Sequence, residues 1–241
     1  MKLITWNCNM AFRKKLEIIL EEKPDILVIP ESESPDKFIL KKEIPKPEDS
    51  FWFGDNPNKG IGVYTYNDFK IKVLEDHNLE FRFIIPLLIS NQEIEFILLA
   101  TWCQKPKKSD NYGTHTWNSI NYYTKLLDNE KVIIAGDFNS SSIWDKPNRE
   151  ANHTNIVNRF KERGIKSTYH IYHEEEQGKE KHATLNLHRK IDRPYHIDFC
   201  FASDYFIKRL ERVKVGEYEK WTNYSDHKPL IVNFKIGDNL I

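Results

Sequence analysis

The sequence predicts an α/β protein in which sheets stack as a sandwich with helices on the outside. Short apolar runs of strand length recur through the 241 residues, divided by polar connectors. Some of them, such as Ile26–Ile29 and Val132–Ala135, are apolar without alternation, as expected of strands covered on both faces. Strands dominate, and the few helical stretches are spread along the chain, which favours layers over a bundle.

Taken in order, strands are expected at 2–7, 25–31, 60–66, 79–90, 94–102, 131–137, 196–203 and 229–236. The runs 79–90 and 94–102 meet across Asn91, Gln92 and Glu93 and read as a hairpin. Pro86 within it implies a bulge or an edge, because proline has no N–H for the ladder. A helix is expected over 12–23, where Phe12, Leu16, Ile19 and Leu20 share one stripe ahead of Pro24. Two more are expected over 117–129 and 154–164, the latter closing at Gly164, a favoured C-terminal residue. The charged stretch 172–182 reads as a solvated loop. With no repeat, linker or low-complexity tract, 1–241 is expected to be a single domain.

That length buries a core without disulfides or structural metals. Cys8, Cys103 and Cys200 are odd in number, widely spaced and set beside apolar runs, the behaviour of small core hydrophobes in a reducing compartment. The opening "MKLITWNC" lacks the apolar core of a signal peptide and no segment approaches a membrane span, so a cytoplasmic protein is expected. Basic and acidic residues balance at 36 each, which excludes a global basic field but not a local basic rim.

Polar residues cluster at the margins of the most apolar strands. Asn7 follows "LITW", Glu31 follows "ILVIP", and Asp137 and Asn139 follow "VIIAG"; Asp198 lies inside "HIDFCF" and Asp226 and His227 precede the last strand. Carboxylates are depleted in strand cores, and a carboxylate between Ile197 and Phe199 is costly to bury unpaired. Glu31, Asp137, Asp226 and the amides of Asn7 and Asn139 are hard oxygen donors, suited to Mg²⁺ or Mn²⁺ acting on a phosphate ester. His227 supplies a group able to carry charge near neutral pH, and Asp198 is placed to fix its tautomer.

"ITWNCN", "PDILVIPES", "IIAGDFNS", "HIDFCFAS" and "YSDHKPL" resemble, in order and approximate spacing, the motifs of the endonuclease/exonuclease/phosphatase superfamily. The resemblance runs from residue 2 to about 236, and "GDFN" with "SDH" is jointly specific. It implies a four-layer α/β sandwich with two central, mainly antiparallel sheets flanked by helices and the active site at the open end between the sheets. It implies Glu31 as principal metal ligand with Asn7 and Asp226, Asp137 and Asn139 orienting the attacking water, and His227, held by Asp198, against the scissile phosphate. Tyr112 matches a phosphate-contacting tyrosine of several relatives, with His115 competing for that task. The chain departs from the pattern at Pro30, where many members have Gln, at Asn9, where abasic-site nucleases often have Asp, and at Thr101–Trp102, where members commonly read His–Leu.

The activity expected is that of a divalent-metal-dependent phosphodiesterase, a nuclease acting as a monomer on DNA or RNA with no obligate protein partner. The alternative is a phosphoesterase for a small molecule or lipid headgroup, and the balanced charge keeps that reading open, whereas the basic residues at 105–108 and 189–190 favour nucleic acid. A catalytically silent binding module is disfavoured because every expected catalytic position carries a competent side chain. Trp102, Trp117, Trp144 and Trp221 are candidate stacking surfaces, though buried packing is the commoner fate of Trp. His170, His173, His182 and His188 invite a zinc site, but no Cys accompanies them at structural-site spacing.

Overall fold

The computed structural model describes residues 1–38, 44–105 and 111–237. The strands of the N-terminal half are β1 (Lys2–Thr5), β2 (Ile26–Ser32), β3 (Asp49–Asn56), β4 (Lys59–Thr65), β5 (Lys70–Val73), β6 (Ile84–Ser90) and β7 (Glu95–Trp102). Those that follow are β8 (Val132–Asp137), β9 (Ile165–Ser167), β10 (Leu185–Asn186), β11 (Pro194–Tyr195), β12 (Asp198–Ser203), β13 (Leu210–Val215) and β14 (Leu230–Phe234). The helices are α1 (Leu16–Leu20), α2 (Tyr112–Tyr122), α3 (Thr124–Leu127), α4 (His153–Lys161), α5 (Thr168–His173), α6 (Asp204–Ile207) and α7 (Tyr218–Trp221).

Two six-stranded sheets form, in the orders β13-β14-β1-β2-β4-β3 and β5-β6-β7-β8-β12-β9, with β10-β11 as a separate ribbon. Both are mainly antiparallel; β1 with β2 and β7 with β8 are parallel pairs. Alternation along the buried strands sorts their side chains into layers. Leu3, Ile26 and Val28 face the inter-sheet core with Leu98, Ala100, Ile133 and Ala135. Their neighbours Ile4, Leu27 and Ile29 pack outward against Phe12, Leu16 and Trp221 of the α1 and α7 side. On the far sheet Leu99, Ile134 and Phe201 pack outward against Ile120, Leu127, Ile156 and Phe160 of α2 to α4. The result is the four-layer α/β sandwich expected.

All eight expected strands form, with ends shifted by a few residues. The helix expected over 12–23 is broken: a single 3-10 turn at Phe12–Lys14 is followed by Lys15 at φ −120° before α1 begins. The cause lies upstream, where Asn9, Met10 and Ala11 are all left-handed and Lys15 turns back to donate to the carbonyls of Cys8 and Asn9. The first residues of 79–90 form a 3-10 turn, Leu79–Phe81, capped by Asn78. Pro86 pairs with Leu99 in an unbroken register, and its carbonyl accepts from Leu74 N just past the end of β5, so its ring nitrogen faces a locally open edge. The helix expected over 117–129 starts earlier, at Tyr112, and kinks at Tyr123. The weak helix formers Gly113 and Thr114 hide its first turn, and Gly113 is needed because a Cβ there would lie 2.5 Å from the Ala151 carbonyl oxygen.

The stretch 172–182 is less solvated than its charge suggests. Glu180 accepts from Gly178 N and lies 3.0 Å from His170 Nε2, while Glu175 accepts from the Tyr169 hydroxyl and from Lys181 N. The Tyr169 hydroxyl draws Glu175 inward by giving it a donor, as His170 and Gly178 N do for Glu180. Strands β3, β5, β9 and β13 fall outside the expected set. β3 and β13 lie at sheet edges, and β3 carries Gly54, Asp55 and Asn56, residue types depleted in strands. Cys8, Cys103 and Cys200 are buried free thiols, as expected of core positions. No helix among the described residues is long and apolar enough to cross a membrane.

Candidate active site

The parallel pair β7/β8 sets the site's position. Thr101 pairs with Gly136 and Trp102 with Asp137, and on the other side of β8 Asp198 pairs with Asp137 across the ladder to β12. Gly136 has φ 150°, and a Cβ there would sit 1.7 Å from the Thr101 carbonyl oxygen. Only glycine lets the strands approach closely enough to present Asp137. We expect Gly136→Ala to destabilise the fold by more than about 3 kcal/mol, since it meets both a backbone clash and a forbidden φ. Chemical denaturation checks this, and a loss below about 1 kcal/mol would count against the assignment.

Two carboxylates therefore face one another in the interior, Asp137 at 1% exposure and Asp198 at 0%. Like charges directly opposed on a sheet destabilise it unless a cation intervenes. His227, reaching in from the segment before β14, is that group: its Nδ1 lies 2.8 Å from Asp198 Oδ2. Asp137 accepts at Oδ1 from Asn139 N (2.8 Å) and at Oδ2 from Asn7 Nδ2 (2.9 Å) and Asn139 Nδ2 (3.0 Å). Burial, then the opposed Asp198 charge, raises Asp137 to about 7 against the opposite pull of His227 and the two Asn donors. Burial alone would disfavour the imidazolium, but Asp198, then Asp137 and Asp226, raise His227 to about 10. At neutral pH His227 is a buried cation and Asp137 is poised between its two protonation states.

The framework around them is backbone-anchored. Thr184 Oγ1 accepts from Ile197 N and Asp198 N, each at 3.0 Å, and locks the start of β12. Ser225 Oγ donates to Asn7 O (2.8 Å) and accepts from His227 N (3.0 Å), tying the end of β1 to the "SDH" turn. The Trp6 indole donates to His227 O at 2.9 Å. Thr184 lies outside the motifs and Ser225 is the serine of "SDH"; the anchoring role of both escapes a reading that looks for ionisable groups.

Glu31 is presented by a bulge. Register in the β2/β4 ladder shifts between Pro30 and Ser32, leaving Glu31 unpaired with φ 61°. A left-handed non-glycine residue on a bulge re-aims its side chain away from the ladder, an arrangement concentrated at functional sites. Lys59 Nζ lies 3.2 Å from Glu31 Oε2. Asp226 Oδ1 accepts from Asn9 Nδ2 at 3.2 Å, so Asn9 is the partner of Asp226. Lys15 lies in the field of both Glu31 and Asp226, which offset the downward pull of burial on its amine. The Lys15 ammonium itself donates to backbone carbonyls and forms no ion pair with either carboxylate among the described residues.

Asp137, Asp198 and His227 bring ligand atoms within 4.8 Å of one another, and such a buried group could hold a metal ion. Metal binding requires a neutral imidazole, however, and His227 is held in its charged form with Nδ1 on Asp198. That arrangement suits proton and charge stabilisation.

The remaining candidates separate by exposure. Tyr112 and Asn139 line one cavity of about 280 Å³, and Lys105 Nζ lies 5.0 Å above the Tyr112 ring. His115 is turned away, 4% exposed and packed on Phe81, with Nδ1 accepting from Gln104 N and burial holding it at about 4. Trp102 and Trp221 are buried and Trp117 is partly buried against the outer core, whereas Trp144 is 43% exposed beside the Tyr112 cavity. His170, His173 and His182 gather around Tyr169 as ring contacts and hydrogen bonds, with His188 elsewhere, on a left-handed turn. Of the basic stretch 105–108 only Lys105 lies within the described residues, and it is exposed. Arg189 of the other basic pair is near enough to Lys15 to oppose its charge.

No protein-family model and no curated protein matches the chain. Solved structures do. The 3′ phosphatase NExo from Neisseria bound to product DNA hairpin superposes with TM-score 0.70 at 16% identity, covering 98% of this chain and 99% of that one. The AP endonuclease from Archaeoglobus fulgidus gives 0.68 at 18%, covering 98% and 99%. The endonuclease domain of TRAS1, a telomere-specific non-LTR retrotransposon, gives 0.68 at 13%, covering 98% of each chain. The fold is therefore the DNase I-like sandwich of these enzymes.

Proposed function

We propose that this protein is a divalent-metal-dependent phosphodiesterase that hydrolyses nucleic acid. The observation that carries the reading is the pair of opposed buried carboxylates, Asp137 and Asp198, at the ends of β8 and β12, with His227 hydrogen-bonded to Asp198. A core gains nothing from such a cluster, since burying charges costs more than packing apolar groups in their place. A reaction that builds negative charge on a phosphorane gains a preorganised cation. The nucleases and the 3′ phosphatase sharing this fold support phosphate-ester chemistry on DNA.

Glu31, Asp226 and the Asn7 oxygen would hold Mg²⁺ or Mn²⁺, which when bound polarises the phosphoryl oxygen and steadies the leaving group. The chain's own residues do the rest. Asn139, fixed to Asp137 and to Cys103 O (3.2 Å), and Asp137, ionised in the fraction set by its raised pKa, aim a water and take its proton. The imidazolium of His227, kept charged by Asp198, faces the developing oxyanion. Tyr112 borders the phosphate, and His115 supports its helix from beneath. Lys105 and Arg189 at the mouth favour nucleic acid over a small ester, and kcat/KM falling steeply with salt would accompany that preference.

The test pairs metal dependence with binding. Wild-type protein should cleave oligonucleotides in Mg²⁺ or Mn²⁺ and stop in EDTA. Glu31→Gln should weaken Mn²⁺ binding, read by calorimetry, about tenfold or more while leaving the thermal unfolding of the metal-free protein nearly unchanged. Turnover insensitive to EDTA, or equal Mn²⁺ affinity in the variant, would refute the reading.

A further inference from the structure

The cavity beside Asn139 has an unusual lining. Trp144 stands at its edge with its ring 43% exposed, braced by Tyr195 at 5.1 Å between centroids and a 46° tilt. Lys105 and Arg149 also line it, and neither has a carboxylate within ion-pair distance among the described residues; Lys105 rests on the Tyr112 ring instead. An exposed indole backed by Tyr195, in a cavity that Lys105 and Arg149 line and whose carboxylate, Asp145, is engaged by backbone N–H groups of α4, is poorly explained by packing. The Trp144 turn is itself rigid: it ends at Asp145, whose carboxylate accepts from His153 N and Thr154 N and so caps α4. The cavity also shares Asn139 with the catalytic cluster, so whatever fills it lies one short step from the reacting phosphate.

From this arrangement we infer that the cavity is a subsite for the nucleotide flanking the scissile phosphate, its base stacked on Trp144 and its next phosphate between Lys105 and Arg149. The inference rests on the nuclease reading and deepens it: the substrate is a single-stranded or locally unpaired polynucleotide, because a paired base has no free face to offer the indole. Stacking on an aromatic side chain tolerates every base, so the subsite reads the presence of a base and not its identity.

The experiment is a double-mutant cycle on a single-stranded tetranucleotide whose only readily cleaved linkage is the central one, the outer two being phosphorothioates. Each flanking base in turn is replaced by hydrogen, and wild-type and Trp144→Ala proteins are compared by kcat/KM. Removing one particular base should lower the wild-type value about thirtyfold, the middle of the range for base–aromatic stacking. Trp144→Ala should show a similar loss on the intact substrate and no further loss when that base is missing, and Trp144→Phe should retain most of the wild-type preference. Arg149→Gln should flatten the slope of log affinity against log salt by ~0.7, the value for one phosphate of a single strand. Losses that multiply in the cycle, or a wild-type enzyme indifferent to both bases, overturn the subsite while leaving hydrolysis intact. A wild-type protein that cleaves no oligonucleotide overturns the subsite together with the function on which it rests.

Discussion

Replacing His227 with alanine should lower kcat on a phosphodiester substrate by about three orders of magnitude, the upper range for loss of one preorganised charge donor. The same change should also weaken the fold. The side chain is buried against Asp198, and its removal leaves one fully buried and one nearly buried carboxylate facing each other without a cation. Breaking a buried pair in this way costs about 3–5 kcal/mol, less whatever is recovered when a carboxyl picks up a proton. The pH dependence distinguishes this from a simple cavity. The folded-state pKa of His227 is raised from 6.5 to about 10, so its contribution to stability is complete below 6.5 and disappears as pH climbs through 10. The stability gap between wild type and variant should therefore be widest near pH 6 and narrow steadily toward pH 10, as urea melts would record. A constant gap, or turnover within tenfold of wild type, would remove His227 from the mechanism.

Asp137→Asn should be nearly as damaging to turnover, about 10²- to 10⁴-fold, the range for loss of a positioned base. Two effects compete in its stability. Neutralising Asp137 relieves its repulsion with Asp198, yet the raised pKa means that relief is already half achieved at neutral pH. Against it, the new amide nitrogen would face Asn7 Nδ2 and Asn139 Nδ2, donors that now share one carboxylate oxygen. An unsatisfied buried donor costs about 1–3 kcal/mol, so net destabilisation is expected. In the wild type, activity should fall as pH drops through about 7, where Asp137 takes up its proton, and that limb should move to lower pH as Mg²⁺ is raised. An acid limb at the ordinary carboxylate position at the lowest Mg²⁺ that supports turnover, or full activity in Asp137→Asn, would reassign the base.

Much of this architecture was legible in the residues because burial imposes composition. Runs such as Ile26–Ile29 and Val132–Ala135 must be covered on both faces, and the acids and amides at their ends had to lie on a rim. What escaped depends on geometry that leaves little trace in composition. The bulge at Glu31 and the left-handed run from Asn9 to Ala11 occupy conformations ordinarily signalled by glycine, yet neither contains one. The edge strands β3 and β13 are half exposed, so the hydrophobic signal that reveals central strands is diluted there. The backbone anchors Thr184 and Ser225 act through hydroxyls, whose roles depend on which N–H they happen to meet. Trp144 shows the converse: four tryptophans stood equal as candidate stacking surfaces, and only the fold distinguishes the exposed indole from the packed ones.

The ladder between β1 and β14 joins Lys2 to Asn233, and the imidazole-bearing turn leads directly into that closing strand. An emerging polypeptide accordingly has to leave that edge of β1 unclaimed until the residues of β14, more than two hundred positions later, have left the ribosome. Such remote pairing makes for slow assembly and a prolonged opportunity for strangers to bind the vacant edge. The same order means that a chain cut short before residue 227 has both carboxylates, Asp137 and Asp198, without the imidazole that pairs with one of them.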